Sequence, residues 1–312
     1  MSRIYHYTSA SSLIGILTHG QFWATDIAFL NDQKEHVYGF NAAISFIDEK
    51  INTVDAPYRV ELINFYNVLR DAIEPNVLGR DTYIISFAKE KDSISHWFSY
   101  CEKNQGYCIC FEEEDFFVSS EKLELSSVYA LKFEDVIYDS LGFHERLEKI
   151  LSKEVVIETI RRGLASVAFD DSPVATKKPG KSSILDSINR EPSFQEATME
   201  QIGKIFNEII FSSGAFKFEG FKHEVERRLV LSCKKGRFDS SYDYSSTTVQ
   251  FRERGGVIFP YVPVRFNKRS IREIVIGPSG DFELRKAGLQ KLLDKMGVVC
   301  EVTSSATPLR FS

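Results

Sequence analysis

Glu224, Glu226 and Arg228, set one residue apart in FKHEVERRLVLS, combine two carboxylates with a guanidinium at the period of a β-strand. In a strand these three side chains fall on one face, and Val225, Arg227, Leu229 and Leu231 fall on the other. A carboxylate beside an anomeric carbon stabilises the positive charge that develops as a glycosidic bond breaks. A second carboxylate can polarise an acceptor, and an arginine can hold a carboxylate or a pyrophosphate oxygen by two parallel N–H bonds. A solvated edge strand carrying a local ion pair accounts for the same pattern, and such pairs add only about 0–1 kcal/mol to stability.

Three other clusters carry chemistry-bearing residues. In IYHYT, alternation places Ile4 and His6 on one strand face and Tyr5 and Tyr7 on the other. Next to Thr8, at a strand end, His6 can donate a hydrogen bond to a ligand hydroxyl at neutral pH, or serve as a satisfied structural histidine. In FLNDQKEHVYG, Asn31 and Asp32 supply turn chemistry and Glu35 lies in a first helical turn, which is also ordinary capping. In ISFAKEKDSISHWFSYCEKNQGYCICF, Ser86 and Phe87 end a strand, Trp97 and Tyr100 sit three apart on a short helix, and Gly106 opens the next strand. The aromatics can line a cleft or pack a core.

The elements that hold these residues are legible from periodicity and turn signals. RIYHY, QFWAT, DTYIISFA and GYCICF read as strands. Ser9 or Thr8 caps a helix that Gly20 stops, and Asp92 or Ser93 caps another. Residues 34–50 and 58–73 read as two antiparallel helices separated by Asp55 and Pro57, and LSSVYALKFEDVIYD reads as one or two strands. Helical patterns at 142–165 and 195–211 flank DDSPVATKKPGKSS, a loop expected to be mobile near 169–184. KHEVERRLVLS, STTVQFRE, VIFPYVPVRF and REIVIG then read as strands, followed by an amphipathic helix and a last strand, VVCEVTSS. Strand runs interrupted by helix runs, without steady β-α-β alternation, indicate an α+β fold with mixed, mostly antiparallel sheets and flanking helices. One domain over 1–312, with a helical insertion at about 140–215, is the expected organisation.

Composition narrows the function classes. A net charge of −5 gives no global basic field for phosphate backbones or anionic lipid, which leaves a local basic groove as the one route to nucleic acid. The run MSRIYHYTSASSL has no secretory pattern and no window is apolar enough to span a bilayer, so a cytoplasmic protein without membrane partners is expected. Five cysteines, Cys101, Cys108, Cys110, Cys233 and Cys300, read as reduced thiols. The C-x-C of GYCICF lacks the companion ligands of a metal site, so no metal is expected. There is no G-x-G-x-x-G after a strand and no P-loop.

Taken in order, Tyr5-His6-Tyr7-Thr8, Leu30-Asn31-Asp32 with Glu35, Ser86-Phe87 with Trp97 and Tyr100, Gly106 with Cys108, Glu224 with Glu226 and Arg228, Ile276-Gly277-Pro278, and Ser305 with Pro308 and Arg310 span nearly the whole chain. This set resembles a bacterial family, domain of unknown function 2971, which is in turn distantly similar to ADP-ribosyltransferases. The resemblance implies an ADP-ribosyltransferase-like core and an NAD pocket, with NAD as substrate. In it His6 binds the adenosine ribose with Tyr7, Thr8 and Ser86 nearby. Phe87 or Tyr38 stacks on nicotinamide, Trp97 belongs to the aromatic wall, Glu226 is the catalytic glutamate with Glu224 beside it, and Arg228 holds Glu226 or a pyrophosphate oxygen. No S-T-S strand is evident. The implied activity is an NAD-consuming ADP-ribosyltransferase or NAD glycohydrolase, a toxin or phage-defence effector with a macromolecular acceptor and a regulatory partner. Two other readings stand beside it: a non-catalytic nucleotide sensor or interaction module, and a nucleic-acid-processing enzyme whose basic groove uses Lys177, Lys178, Lys181 and the arginine-rich C-terminal strands.

Overall fold

The computed structural model describes residues 2–30, 35–54, 59–77, 82–101, 105–152, 154–159, 192–234 and 248–307. Asn31, Asp32, Asp55, Pro57, the loop at 169–184 with its lysines, Pro308 and Arg310 lie outside the described residues. The strands are β1 (Arg3–Thr8), β2 (Gln21–Asp26), β3 (Thr82–Ala88), β4 (Tyr107–Glu112), β5 (Tyr129–Asp135), β6 (Glu226–Cys233), β7 (Gln250–Arg254), β8 (Val257–Arg265), β9 (Ile271–Ile276) and β10 (Glu301–Ser304). The helices are α1 (Ala10–His19), α2 (Glu35–Thr53), α3 (Arg59–Val77), α4 (Ile94–Tyr100), α5 (Ser119–Val128), α6 (Ser140–Ile150), α7 (Pro192–Gly214) and α8 (Phe282–Met296). The expected mixed α/β architecture with a mostly antiparallel sheet is what forms; among the described residues only β10 on β9 pairs in parallel within the sheet.

The sheet is organised around β3, which pairs with β6 from Thr82↔Ser232 to Ala88↔Glu226. Its other edge is shared. β2 holds one end at Thr25↔Ile84 and Asp26↔Tyr83, and β1 holds the other at Tyr5↔Ala88. Both run antiparallel to β3 and are therefore parallel to each other, joined by α1. Between these footholds neither strand pairs with Ile85, Ser86 or Phe87, so the sheet opens into a wedge. Beyond the wedge β1 continues onto β4 and β2 onto β8.

Alternation along β3 and β6 divides the apolar residues between the two faces. Ile85, Phe87, Leu229 and Leu231 face a core shared with α1 and α8, in which Phe22, Phe87, Phe111, Phe116 and Phe266 pack mostly edge to face, with Phe22 stacked on Phe116. Each such ring pair adds about 0.5–1.5 kcal/mol beyond area burial. Ile84 and Val230 face a second core built by α2, α3, α6 and α7. There α2 and α7 meet backbone to backbone, because a Cβ on Gly39 would stand 2.1 Å from the Ser213 carbonyl oxygen.

Two local expectations are corrected. LSSVYALKFEDVIYD is not all strand, since Ser119–Val128 is helical before β5 begins. That helix has no buried residue, so no apolar stripe announced it. KHEVERRLVLS is not one strand either: Glu219–Glu224 form a 3-10 helix and β6 starts at Glu226. Nor is β6 a solvated edge, because β3 and β5 border it on both sides.

Candidate active site

The wedge opens into a cleft of about 920 Å³, lined by His6, Tyr7, Thr8, Ser86, Phe87, Glu224, Glu226 and Arg228 together with residues of α1, α4 and β7. At its mouth in the sheet, His6 Nδ1 donates to the Ser86 carbonyl at 3.2 Å, filling a ladder position that the divergence of β1 leaves open. Burial, only partly offset by that bond, pushes the imidazole down to about 4. The ring is therefore neutral at pH 7. With the proton on Nδ1, Nε2 is an acceptor, so His6 offers a lone pair to a ligand hydroxyl instead of the donor expected from sequence.

Glu226 is the centre of the charged end. Its Oε2 accepts from Arg228 Nη2 at 2.8 Å, Arg228 Nε at 3.2 Å and Lys217 Nζ at 3.4 Å, and the Ser86 hydroxyl also donates to it. Burial alone would raise this carboxyl. Arg228, Lys217 and Ser86 outweigh burial and hold it below the usual range, so Glu226 is an anion at neutral pH. Its backbone N–H donates to the Tyr138 hydroxyl at 2.8 Å. Lys217, placed just past α7 by the bridge between Ile137 and Phe216, also donates to Glu224 Oε2 at 2.5 Å, and Tyr100 donates to Glu224 Oε1 at 3.0 Å. Two carboxylates are thus linked through two cations, with no formal charge left over.

Strand alternation does not align Glu224 with Glu226. Between them Val225 sits at φ 42°, ψ 57°, held by Lys89 N–H donating to its carbonyl at 2.9 Å. Left-handed backbone at a β-branched residue is strained. Here it rotates Glu224 out of the strand pattern and onto Lys217. His6 and Glu226 leave the sheet from opposite faces, His6 beside Phe22 and Phe87, Glu226 with Arg228 and Ser86. Both reach the cleft because the sheet is split there, and Ser86 touches one through its carbonyl and the other through its hydroxyl.

Trp97 and Tyr38 lie outside the cleft lining, and Phe87, Tyr7 and Arg228 reach it in other roles than expected. Trp97 is 0% exposed, donates to Asp92 Oδ1 at 2.7 Å and lies edge-on to Tyr7 in a small core, so it braces the cleft without facing it. Tyr38 is exposed on α2 beside Phe218 and outside the cleft lining. Phe87 touches the cleft but is 2% exposed and locked among core rings, so it cannot stack on a ligand without unpacking that core. Tyr7 lends its ring, while its hydroxyl is used by the Glu90 carbonyl and the Ser93 N–H. Arg228 is 1% exposed and committed to Glu226 and the Gly214 carbonyl, which removes it from pyrophosphate recognition.

Tyr100, which the sequence set beside Trp97, and four residues it did not single out, Phe221, His96, Lys217 and Tyr138, take these places. Tyr100 and Phe221 provide aromatic surface near Glu224, with Lys217 Nζ 4.6 Å from the Phe221 ring centre. His96 stacks on Tyr7 at 4.8 Å and is held below its ordinary value by burial, against the pull of Glu224 and Glu226. Lys217 and Tyr138 lie in ordinary-looking runs and carry no spacing signal. Among the described residues no group of three or more His, Cys, Asp or Glu is placed to hold a metal, and no helix is long and apolar enough to cross a membrane. All five cysteines are free thiols. In comparisons with protein families, curated proteins and solved structures, nothing matches this chain.

Proposed function

We propose that the chain is a member of the family called domain of unknown function 2971, with an ADP-ribosyltransferase-like core, and that it cleaves the bond between nicotinamide and ribose in NAD. The ADP-ribosyl group passes either to water or to a macromolecular acceptor. The observation that carries this reading is the anionic Glu226 at the sheet's wedge, joined through Ser86 to a neutral His6 in the same cleft. As nicotinamide leaves, positive charge grows on the ribose, and a fixed carboxylate in a water-poor site stabilises it strongly. In this reading the neutral His6 accepts a hydrogen bond from a ribose hydroxyl, Tyr100 and Phe221 flank the reacting end, and Glu224, held by Lys217 and Tyr100, polarises an acceptor. Such chemistry suits a bacterial toxin or antiviral effector kept in check by a partner protein.

The test is nicotinamide release from NAD by the purified chain, followed by chromatography, with Glu226→Asp and Glu226→Gln alongside. Glu226→Asp keeps the charge near Arg228 and Lys217 but withdraws the carboxylate, so a fall in turnover of about 10²-fold or more is expected with the fold retained. Undiminished release by both folded variants would remove Glu226 from the chemistry. A second reading has its own observation: Glu226 is 5% exposed and already fully paired, as suits a nucleotide sensor that binds without turnover. Saturable NAD binding with no nicotinamide from any of the three proteins would select it.

A further inference from the structure

The far end of the cleft has the opposite electrostatics. Arg252 and Arg254 of β7 both line it, and neither has a carboxylate within ion-pair distance among the described residues. Arg252 Nη2 donates to Thr25 Oγ1 at 2.9 Å, and its Nε is buried without a partner. The guanidinium carbon stands 5.2 Å from the ring centre of Trp23 and 5.9 Å from those of Phe259 and Tyr261. Burial, and after it the Arg254 charge, hold Arg252 below its ordinary value. Trp23 is 41% exposed at this end.

Register shows that this platform and Glu226 share one sheet face. Directly opposed residues in antiparallel pairs point the same way, and so do residues two apart along a strand. Arg228 opposes Ser86, Ile84 opposes Thr25, Thr25 opposes Tyr261, and Tyr261 opposes Gln250, two residues before Arg252. The face that carries Glu226 and Arg228 therefore runs on to Arg252 and Arg254. A flat guanidinium held among aromatic rings, with free N–H donors and a second arginine beside it, suits a ligand that is both planar and anionic.

We propose that Arg252, Arg254 and Trp23 form a nucleotide subsite, in which a base stacks against the Trp23–Arg252 surface and its phosphate is held by the two arginines. The assignment of nucleotides as the ligand class rests on the reading of the cleft given above. Two sources offer the same chemistry: the ADP half of the dinucleotide substrate, and a nucleotide of a single-stranded nucleic-acid acceptor.

The chain has two tryptophans, and with Trp97 buried, Trp23 reports on this surface by fluorescence. The full-length chain is titrated with ADP and, separately, with a short single-stranded oligothymidylate, in the native form and as Arg252→Ala, Arg252→Lys, Arg254→Ala and Trp23→Phe. Saturable quenching by at least one probe is expected, lost in Trp23→Phe and about ten-fold weaker in Arg252→Ala. Arg252→Lys restores charge without the plane and should recover only part of the affinity. Exposed Arg254 serves as the variant least able to disturb folding, and its loss should flatten the salt dependence. Quenching by ADP alone assigns the donor half, and quenching by the oligonucleotide assigns the acceptor. No quenching by either, or equal affinities in native, Arg252→Ala and Arg254→Ala proteins, overturns the subsite. Native protein that shows the quenching but releases no nicotinamide from NAD counts against the catalytic reading alone.

Discussion

Among the described residues only Asp92 and Val225 combine a side chain with positive φ, at 64° and 42°, and each stands beside a buried polar cluster. At Asp92 the conformation suits the residue, because a short polar side chain tolerates the left-handed region. Its carboxylate accepts from Trp97 Nε1 at 2.7 Å, Ser305 Oγ at 2.5 Å, the Ala306 N–H at 2.6 Å and Thr307 Oγ1 at 3.2 Å. It thereby ties the loop after β3 to α4 and to the segment after β10. Val225 has no such excuse: a β-branched residue there costs of order 1–3 kcal/mol and stays only if its surroundings impose it. What the strain achieves is the meeting of Glu224 and Glu226 on Lys217. One polar hub closes the fold on itself, and the other holds charges toward a cleft.

The sharpest way to separate the hubs is to remove the carboxylate of each. Glu226→Gln leaves Arg228 and Lys217 buried with less counter-charge, so a loss of about 3–5 kcal/mol in urea unfolding is expected, together with lost nicotinamide release. Destabilisation below about 1 kcal/mol would mean that water or the remaining Glu224 satisfies the cations, and that the charged chain is looser than its geometry.

Asp92→Ala should cost about 2–3 kcal/mol, since the donors of Trp97, Ser305 and Thr307 lose a charged acceptor, while nucleotide quenching of the folded protein stays within about two-fold. Acid sharpens this. Burial would raise the Asp92 carboxyl, but bonds from Ser305, Trp97, Ala306 and Thr307 bring it below its ordinary 3.8. A group whose folded value is depressed stabilises the fold above its unfolded value and loses that contribution as pH falls through the folded one. Native protein should therefore lose stability below about pH 4 more steeply than Asp92→Asn. Parallel acid profiles would show that Asp92 is not differentially ionised.

The two hubs also differ in how far sequence exposed them. Most element positions followed from periodicity and turn residues, and β3 and β6, buried on both faces, read as strands through their β-branched and aromatic runs. The wedge did not follow, since which edge of β3 takes β1 and which takes β2 is a matter of pairing that no single strand encodes. His6, Ser86, Glu226 and Arg228 were found by type and spacing. Glu224 was named for the wrong reason, as a strand neighbour, when Val225 breaks the strand there. Trp97, three residues before Tyr100, was legible as either a cleft aromatic or a core residue, and the Asp92 contact reveals it as a brace. Arg252 and Arg254 were visible as an i, i+2 pair in FRER, but their lack of acidic partners among the described residues is a three-dimensional property.

The smallest effect is the most discriminating. Val225→Gly relieves left-handed strain at the price of a freer unfolded chain, and the balance predicts a gain of up to about 1 kcal/mol in urea unfolding. A glycine at Asp92 already sits in tolerated backbone and loses only acceptors, so Asp92→Gly must destabilise. The paired signs test the comparison itself. If the strain at Val225 serves to hold Glu224 on Lys217, the stabilised Val225→Gly protein should release nicotinamide more slowly than native, because Glu224 gains freedom to leave. A variant that is both more stable and equally active would show the strain to be incidental to the site. A destabilised one would mean that the half-buried valine side chain contributes more by packing than its backbone costs.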